Sequence, residues 1–378
     1  MIAIGKNPLF CLKFYKMKLK ELCKSLEQWA PLAYQESYDN SGLIVGDMSA
    51  DISGVLVSLD CVESIVDEAI EKGCNVIVSH HPIVFKGLKS LTGKDYVERT
   101  LLKAIKKDIA LYAIHTNLDN IFDGVNSKIA DVIGLNNTKI LRPKKNLLKL
   151  SVYVPKTHAD VVLDSLFKAG AGHIGKYKNC SFKSDGLGSF LPTSGTKPFK
   201  GKVDLLEITE EVKVEVVLPN YLLHDVIHAM NNAHPYEEIA HDIYQILNNS
   251  NSGSGMMGEL SNELSEQDFL NLLKVNFGAA GIRHTNFLNK KIKKIALCGG
   301  SGSFLLKDAI KEKADVFITG DFKYHQFFES ENKILIADIG HYESEQYTID
   351  LISDFLMKKF TNFAIRLTTV NTNPINYL

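Results

Sequence analysis

Between residues 17 and 30, the apolar positions Leu19, Leu22, Cys23, Leu26, Trp29 and Ala30 recur every three or four residues, which predicts an amphipathic helix closed by Pro31. Asp39-Asn40-Ser41-Gly42 reads as a turn, and residues 43–45 as the short strand after it. Two later stretches share one pattern. Residues 54–60 form an apolar strand, 62–71 a helix and 75–79 a second strand; residues 294–298, 303–312 and 315–319 repeat that order. At an offset of 240 residues, Val76-Ile77-Val78-Ser79 falls on Val316-Phe317-Ile318-Thr319. Strands apolar on both faces, with helices between them, predict an α/β sheet covered on each side.

The stretch between these two units, roughly 147–247, has a second internal repeat. A strand at 148–154 followed by a helix at 159–169 resembles a strand at 213–218 followed by a helix at 222–233, and each strand ends in proline (Pro155, Pro219). Two strand–helix halves joined by further strands predict a ferredoxin-like α+β sandwich. Polar segments at 142–146 and 248–255 read as linkers on either side. The simplest architecture is a split α/β domain built from two related halves with an inserted α+β domain. Its boundaries fall at 17–146 for the first half, 147–250 for the insert and 251–378 for the second half, after an N-terminal extension at 1–16.

Composition narrows the class without choosing a function. Of 378 residues, 45% are hydrophobic and 23% charged, which excludes a largely disordered, fibrous or coiled-coil chain. Lys plus Arg (43) balance Asp plus Glu (44), so there is no basic surplus of the kind bulk nucleic-acid binding requires. Arginine is scarce, at Arg99, Arg142, Arg283 and Arg366 only, which limits bidentate clamps on phosphate. The six cysteines are dispersed and form no C-x-x-C pair, which argues against a zinc ribbon or dithiol motif and for a reduced, intracellular protein. No apolar run approaches the ~20 residues of a membrane span. Residues 1–16 carry three lysines and no acid; they read as a weak targeting segment or as the product of an upstream start, with Met17 opening the first good helix.

The chemistry collects where apolar strands stop. The strand at 75–79 runs into His80-His81-Pro82, the strand at 109–114 into His115-Thr116-Asn117-Leu118-Asp119, and the strand at 334–339 into Gly340-His341-Tyr342-Glu343-Ser344-Glu345. Each alone has an ordinary explanation as a solvated turn or a capped helix. His341 and Glu345 are four apart on a helix, so both can meet one metal, and Glu343 points elsewhere. Open α/β sheets place their chemistry at the carboxyl ends of strands, so the three elements converge. His80, His81, Asp119, His341 and Glu345 are too many ligands for one open zinc site and suit two divalent ions. Mixed imidazole and carboxylate ligation fits Zn, Mn, Fe or Co without choosing among them. Such a pair supports hydrolysis of phosphate esters, amides or ring amidines. His115, Asp321 and His325 are candidates for proton transfer or for orienting ligands, the last two from the polar strand end Gly320-Asp321-Phe322-Lys323-Tyr324-His325. The run Gly299-Gly300-Ser301-Gly302-Ser303 lacks the Lys-Ser/Thr ending of a P-loop and reads as a tight turn. Gly172–Tyr177 and His234–Glu238 in the insert read as packing turns.

Taken in order, Tyr38-Asp39-Asn40-Ser41-Gly42-Leu43, Ser79-His80-His81-Pro82, His115 to Asp119, Gly320 to His325 and Gly340 to Glu345 resemble the successive motifs of the NIF-three-like proteins, also labelled GTP cyclohydrolase 1 type 2 homologues. The resemblance runs from about Met17 to the C-terminus. Its insert, with GHIGKYKNCSF at 172–182 and HPYEE at 234–238, is similar to that of the long bacterial subgroup, whose middle domain resembles CutA and PII-like folds. The resemblance implies a dinuclear metal centre on His80, His81, Asp119, His341 and Glu345, and a toroidal homohexamer with its metal sites facing an internal cavity. It also implies a small-molecule substrate, with GTP or a related nucleotide as the family label has it. The leading expectation is a cytoplasmic metal-dependent hydrolase. The alternative is a metal-binding regulatory or scaffold protein without turnover, in which the insert senses a small ligand.

Overall fold

The computed structural model describes residues 17–378; the extension at 1–16 lies outside the described residues. The chain divides into two compact units, one made of the described residues up to Arg142 together with Gly253–Leu378, the other of Pro143–Ser252.

The first unit holds two sheets. One has the strand order Gly42–Val45, Ala110–Ala113, Val76–Ser79, Gly54–Ser58, Ala364–Leu367; the other runs Arg283–His284, Leu335–Asp338, Val316–Gly320, Lys291–Ser301, Gly253–Ser265, Asn136–Pro143. Both contain three adjacent parallel strands with an antiparallel strand beside the same member of the trio. The repeat visible in the sequence is therefore a repeat of sheet topology.

Alternation along the strands divides the packing. Val55, Val57, Val76, Val78 and Tyr112 of the first sheet share a core with Ile295, Leu297, Val316, Ile318 and Ala337 of the second, filled by helices Leu19–Trp29, Val125–Ile133, Glu266–Asn276 and Thr348–Lys359. The intervening residues Leu56, Ile77 and Leu111 face the opposite way, onto helices Glu63–Glu71 and Tyr96–Lys106. Ala296, Phe317 and Ile336 do the same on the second sheet, against Leu306 and Ala309. Strands covered on both faces have no polar positions to expose, so their polar residues collect at the ends. Trp29, the chain's single tryptophan, stacks on Phe355 at 4.2 Å.

The second unit follows the order strand Leu147–Pro155, helix Ala159–Lys168, strand Ser181–Phe190, strand Glu207–Pro219, helix Leu223–Ala233, strand His241–Gln245. Its wholly antiparallel sheet places the Glu207–Pro219 and Leu147–Pro155 strands centrally. Leu150, Val152, Val154, Val214 and Val216 pack on Val162, Leu166, Val226 and Met230 of the two helices. The borders differ from the open linkers expected. Lys144 N donates to Ser252 O at 2.8 Å and Ser250 N to Lys144 O at 3.1 Å, so the entering and leaving segments are paired. Polar composition marks a loop, but backbone pairing between residues this distant leaves no local trace. His234 is committed to packing, donating through Nε2 to Tyr153 O at 3.0 Å and accepting from Tyr236 N at 3.1 Å.

Candidate metal centre

Each metal-ligand candidate stands just beyond a buried strand of the first unit. After Val76–Ser79 the ladder continues, with His80 N and His81 N donating to Ser58 O and Leu59 O at 3.1 and 2.9 Å. His115 and helix Thr116–Asp119 follow the strand Ala110–Ala113; helix His341–Glu345 follows Leu335–Asp338. The five expected ligands, His80, His81, Asp119, His341 and Glu345, come together there with His115. Three overlapping groups could each hold a metal ion: His80, His81 and His115; His81, His341 and Glu345; and His80, Asp119 and Glu345.

All four imidazoles are anchored in the same way. Nδ1 of the fully buried His80 donates to Ile114 O at 2.8 Å, which fixes the proton there and leaves Nε2 as a lone-pair donor. Nδ1 of His81 lies 2.7 Å from Asp60 Oδ1, that of His115 2.8 Å from Asp39 Oδ1, and that of His341 2.7 Å from Asp321 Oδ2. A carboxylate or carbonyl behind each ring is the arrangement that orients metal-binding histidines. The Nε2 atoms of His81 and His341 are 3.3 Å apart and flank Glu345 Oε2 at 3.0 and 3.1 Å. His80 Nε2 lies 3.7 Å from Asp119 Oδ1 and 3.8 Å from Glu345 Oε1.

Two atoms in this cluster test whether the residues suit a cation. His80 Nε2 and Asp119 Oδ1 are sealed from solvent and have no hydrogen-bond partner. Orphaned polar atoms cost stability unless something satisfies them, and a lone pair facing a carboxylate is a donor set for a divalent ion. The donor chemistry therefore fits a metal.

The protonation pattern says the same. Burial and the neighbouring Glu345 carboxylate push Asp119 up to about 7, whereas Glu345, despite its burial, is held well below the usual range chiefly by His341, with His81 beside it. Against burial, which favours the neutral ring, Asp60 and Glu345 raise His81 to about 9, and Glu345 and Asp321 raise His341 to about 11. The Glu345 carboxylate thus favours the charged form of both imidazoles it touches.

Backbone geometry makes room for this crowding. Gly300 has φ +58°, and a Cβ there would lie 2.4 Å from Glu345 Oε1. Asp321 adopts the left-handed region at φ 57°, which Asp tolerates, and so presents its carboxylate to His341. The Gly299–Ser303 run is not the tight turn expected: residues 299–301 end the strand Lys291–Ser301, whose register against Val316–Gly320 shifts there, and Gly299, Gly300 and Gly302 donate their N–H groups to Asn126 Oδ1, Ser344 Oγ and Thr319 Oγ1. Glu343 points away from the cluster, accepting from Asn373 Nδ2 at 3.2 Å.

Of the three proton-transfer candidates, His115 sits in the cluster and Asp321 behind His341. His325 stands apart, exposed on the 3-10 helix Tyr324–Ser330 and packed on Tyr324 and Phe328. Sequence pattern alone does not single out Asp39 and Asp60. Asp39 accepts from Thr116 N at 3.0 Å and from Thr116 Oγ1 as well as from His115, and the His115 and Thr116 side chains outweigh burial to hold it far below the usual carboxylate range. The signal that marks His115 for the cluster is its four-residue spacing to Asp119, the same as from His341 to Glu345.

The family described as Duf34/NIF3 (NGG1p interacting factor 3) matches residues 17–374. A protein of Bacillus subtilis strain 168 named GTP cyclohydrolase 1 type 2 homolog is 39% identical over 367 residues, 95% of this chain and 98% of its own length. One of the same name from Staphylococcus aureus strain MSSA476 is 36% identical over 368 residues, 96% of this chain and all of its own. Among solved structures, a Bacillus cereus protein related to NIF3 aligns over 96% of this chain and 99% of its own with a TM-score of 0.81 and 35% identity.

Proposed function

The chain belongs to the Duf34/NIF3 family, and from that premise we propose that it is a hydrolase dependent on two divalent metal ions. The observation that carries this reading is the pair of sealed, partnerless atoms His80 Nε2 and Asp119 Oδ1 inside a ring of anchored imidazoles. His81, His341 and Glu345 would hold one cation, and His80, Asp119 and Glu345 the other, with Glu345 shared. When bound, the ions supply Lewis acidity and hydroxide near neutral pH.

The chain's own groups do the rest. Ile114 O, Asp60 and Asp321 keep the Nδ1 protons of His80, His81 and His341, so that each Nε2 faces the centre. We assign proton transfer to His115, which is aligned by Asp39 and is the one imidazole outside both carboxylate-containing groups. Asp321 orients His341, and His325 receives no role. The relatives' name points to ring opening by water, so a ring amidine stands beside phosphoesters and nucleotides as substrate class. Metal analysis by mass spectrometry, with a turnover panel of these classes, tests the proposal. Two ions per chain and turnover lost in folded Asp119→Ala and Glu345→Ala support it; full occupancy without turnover rejects it.

A second reading, a metal-binding regulatory or scaffold protein, draws on the insert. Its strand order is ferredoxin-like, which is compatible with the CutA/PII-like reading of the insert, and a cleft of about 450 Å³ lined by Phe190, Phe199, Tyr236 and Glu211 is suited to a small ligand. Among the described residues no helix is long and apolar enough to cross a membrane. We further propose a toroidal homohexamer in the cytoplasm, to be tested by light scattering and fractionation.

A further inference from the structure

The cleft above the metal centre is about 760 Å³, and its mouth is ringed by aromatic side chains. Tyr38, Phe85, Tyr96 and Phe304 line it and are 66%, 51%, 57% and 52% exposed. A single exposed ring is unremarkable on a protein surface. Four around one opening make a patch whose cost is offset when a flat ligand covers it. Phe85 stands edge-on to His115 with ring centres 5.8 Å apart, so a ring stacked on Phe85 would be close to the ligand cluster.

The charge inventory points the same way. Among the described residues lining the cleft there is no Lys or Arg, while Glu36, Asp60, Asp119, Asp321 and Glu345 contribute five carboxylates. Two divalent cations would bring four positive charges against those five. Arg142, whose guanidinium is 5.3 Å from the Phe304 ring centre, is engaged by Asp308 and by Phe304 O. Backbone N–H groups could substitute for side-chain cations, as they do in phosphate-binding loops. Here Gly299, Gly300 and Gly302 already donate theirs to side chains of the protein. A triphosphate entering this cleft would find no Lys or Arg to pair with, no free amide at Gly299, Gly300 or Gly302, and metal charge already matched by the five carboxylates.

We infer that the cleft binds a planar heteroaromatic ligand of low charge, such as a nucleobase or nucleoside, in preference to a nucleoside triphosphate. This rests on the reading above only in taking the cleft as the substrate site. The bound ring stacks on Phe85 and Phe304 with its reacting edge toward the metal ligands.

Calorimetric titration of the full-length, metal-loaded chain tests this with hypoxanthine, guanosine and uridine as uncharged rings, and GMP and GTP as their charged counterparts. At least one ring binds, GTP binds no more tightly than guanosine, and Phe85→Ala or Phe304→Ala weakens ring binding by about fivefold or more. Both variants keep wild-type metal stoichiometry and melting temperature, because the two rings are exposed. The inference is overturned if no ring binds, if GTP binds more tightly than guanosine, or if neither variant weakens ring binding by about fivefold. Ring binding without turnover would reject the hydrolase and leave this inference standing. Turnover of a ring-free phosphoester by a cleft that binds no ring would do the reverse.

Discussion

Gly300→Ala should damage metal binding far more than folding. The new Cβ would lie 2.4 Å from Glu345 Oε1 and 3.2 Å from His341 Cε1. Glu345 cannot swing away, because it is only 3% exposed and its other oxygen is held at 3.0 and 3.1 Å by His81 and His341. Oε1 must retreat by about 0.6 Å merely to reach 3.0 Å, the shortest approach a real Cβ makes. Ligand distances in metal sites tolerate only about 0.2 Å. Disturbing the groups that position metal ligands typically costs about 10–100-fold in affinity, and a loss in that range is expected.

The substitution also places a side chain at φ +58°, which costs about 1–2 kcal/mol of stability by itself. Gly278→Ala separates the two effects. Gly278 has φ +59°, and an added methyl group would meet nothing within 4 Å, so it carries the backbone penalty without the collision. Competition titration of Zn²⁺ or Mn²⁺ against a chelating indicator, run beside thermal melts, gives both quantities. Both variants should lose similar stability, and only Gly300→Ala should lose affinity. Wild-type affinity in Gly300→Ala, or an equal loss in Gly278→Ala, would refute the idea that this glycine exists to admit Glu345.

Asp60→Ala removes the acceptor behind His81 Nδ1 and should weaken metal binding by about 10–100-fold, measured by the same titration. Chelation should lower the melting temperature of wild type, since free metal at a hundred times its Kd adds about 2.7 kcal/mol per site, and Asp119→Ala, which keeps the site on His81, His341 and Glu345, should respond about half as much. Phe317→Ala, in a fully buried site, should cost about 3–5 kcal/mol in denaturant unfolding while the folded protein keeps its metal. Glu68 takes hydrogen bonds from Lys72, Thr368 and Thr369; they outweigh burial and lower its carboxyl from 4.5 to about 2. A depressed folded-state pKa gives stability that is complete above pH 4.5 and lost as pH falls toward 2. Glu68→Gln should therefore be less stable than wild type near neutrality, with the gap in melting temperature closing across that acid window.

Much of this was legible in the sequence because it depends on local pattern. Three- and four-residue spacing marks helix Leu19–Trp29, and unbroken apolar runs mark the strands buried on both faces. The candidate ligands were visible for the same reason: a polar residue after such a run has only the strand's end to occupy. The anchors were not visible. Asp39 is 76 residues from His115 and Asp60 is 21 from His81, and in sequence one reads as a turn residue and the other as the end of a strand. His325 follows the same strand as Asp321, but the 3-10 helix that begins at Tyr324 turns it outward, and no periodicity signals that rotation. The pairing of Lys144 with Ser250 and Ser252 was hidden because it joins segments more than a hundred residues apart.

The internal repeat explains why the site needs both halves. Each half follows its third parallel strand with a histidine and, four residues on, a carboxylate: His115 with Asp119, His341 with Glu345. The halves diverge one strand earlier. At the 240-residue offset, His80-His81 falls on Gly320-Asp321. A side chain at 320 could not mirror His80, because its Cβ would meet His341 N at 2.8 Å. Asp321 does not mirror His81 as a ligand either, since its left-handed backbone turns the carboxylate onto His341 Nδ1. One half thus supplies two inward-facing imidazoles, while the other supplies space and an anchor. Both metal-capable groups that contain a carboxylate draw on the two halves together, His81 with His341 and Glu345, and His80 and Asp119 with Glu345. Glu345 belongs to both, so its loss should abolish both ions together, whereas loss of Asp119 should spare the site formed by His81, His341 and Glu345. A Glu345→Ala chain that retained one ion at full affinity would show that the halves bind metal separately, and the shared-carboxylate arrangement would have to be abandoned.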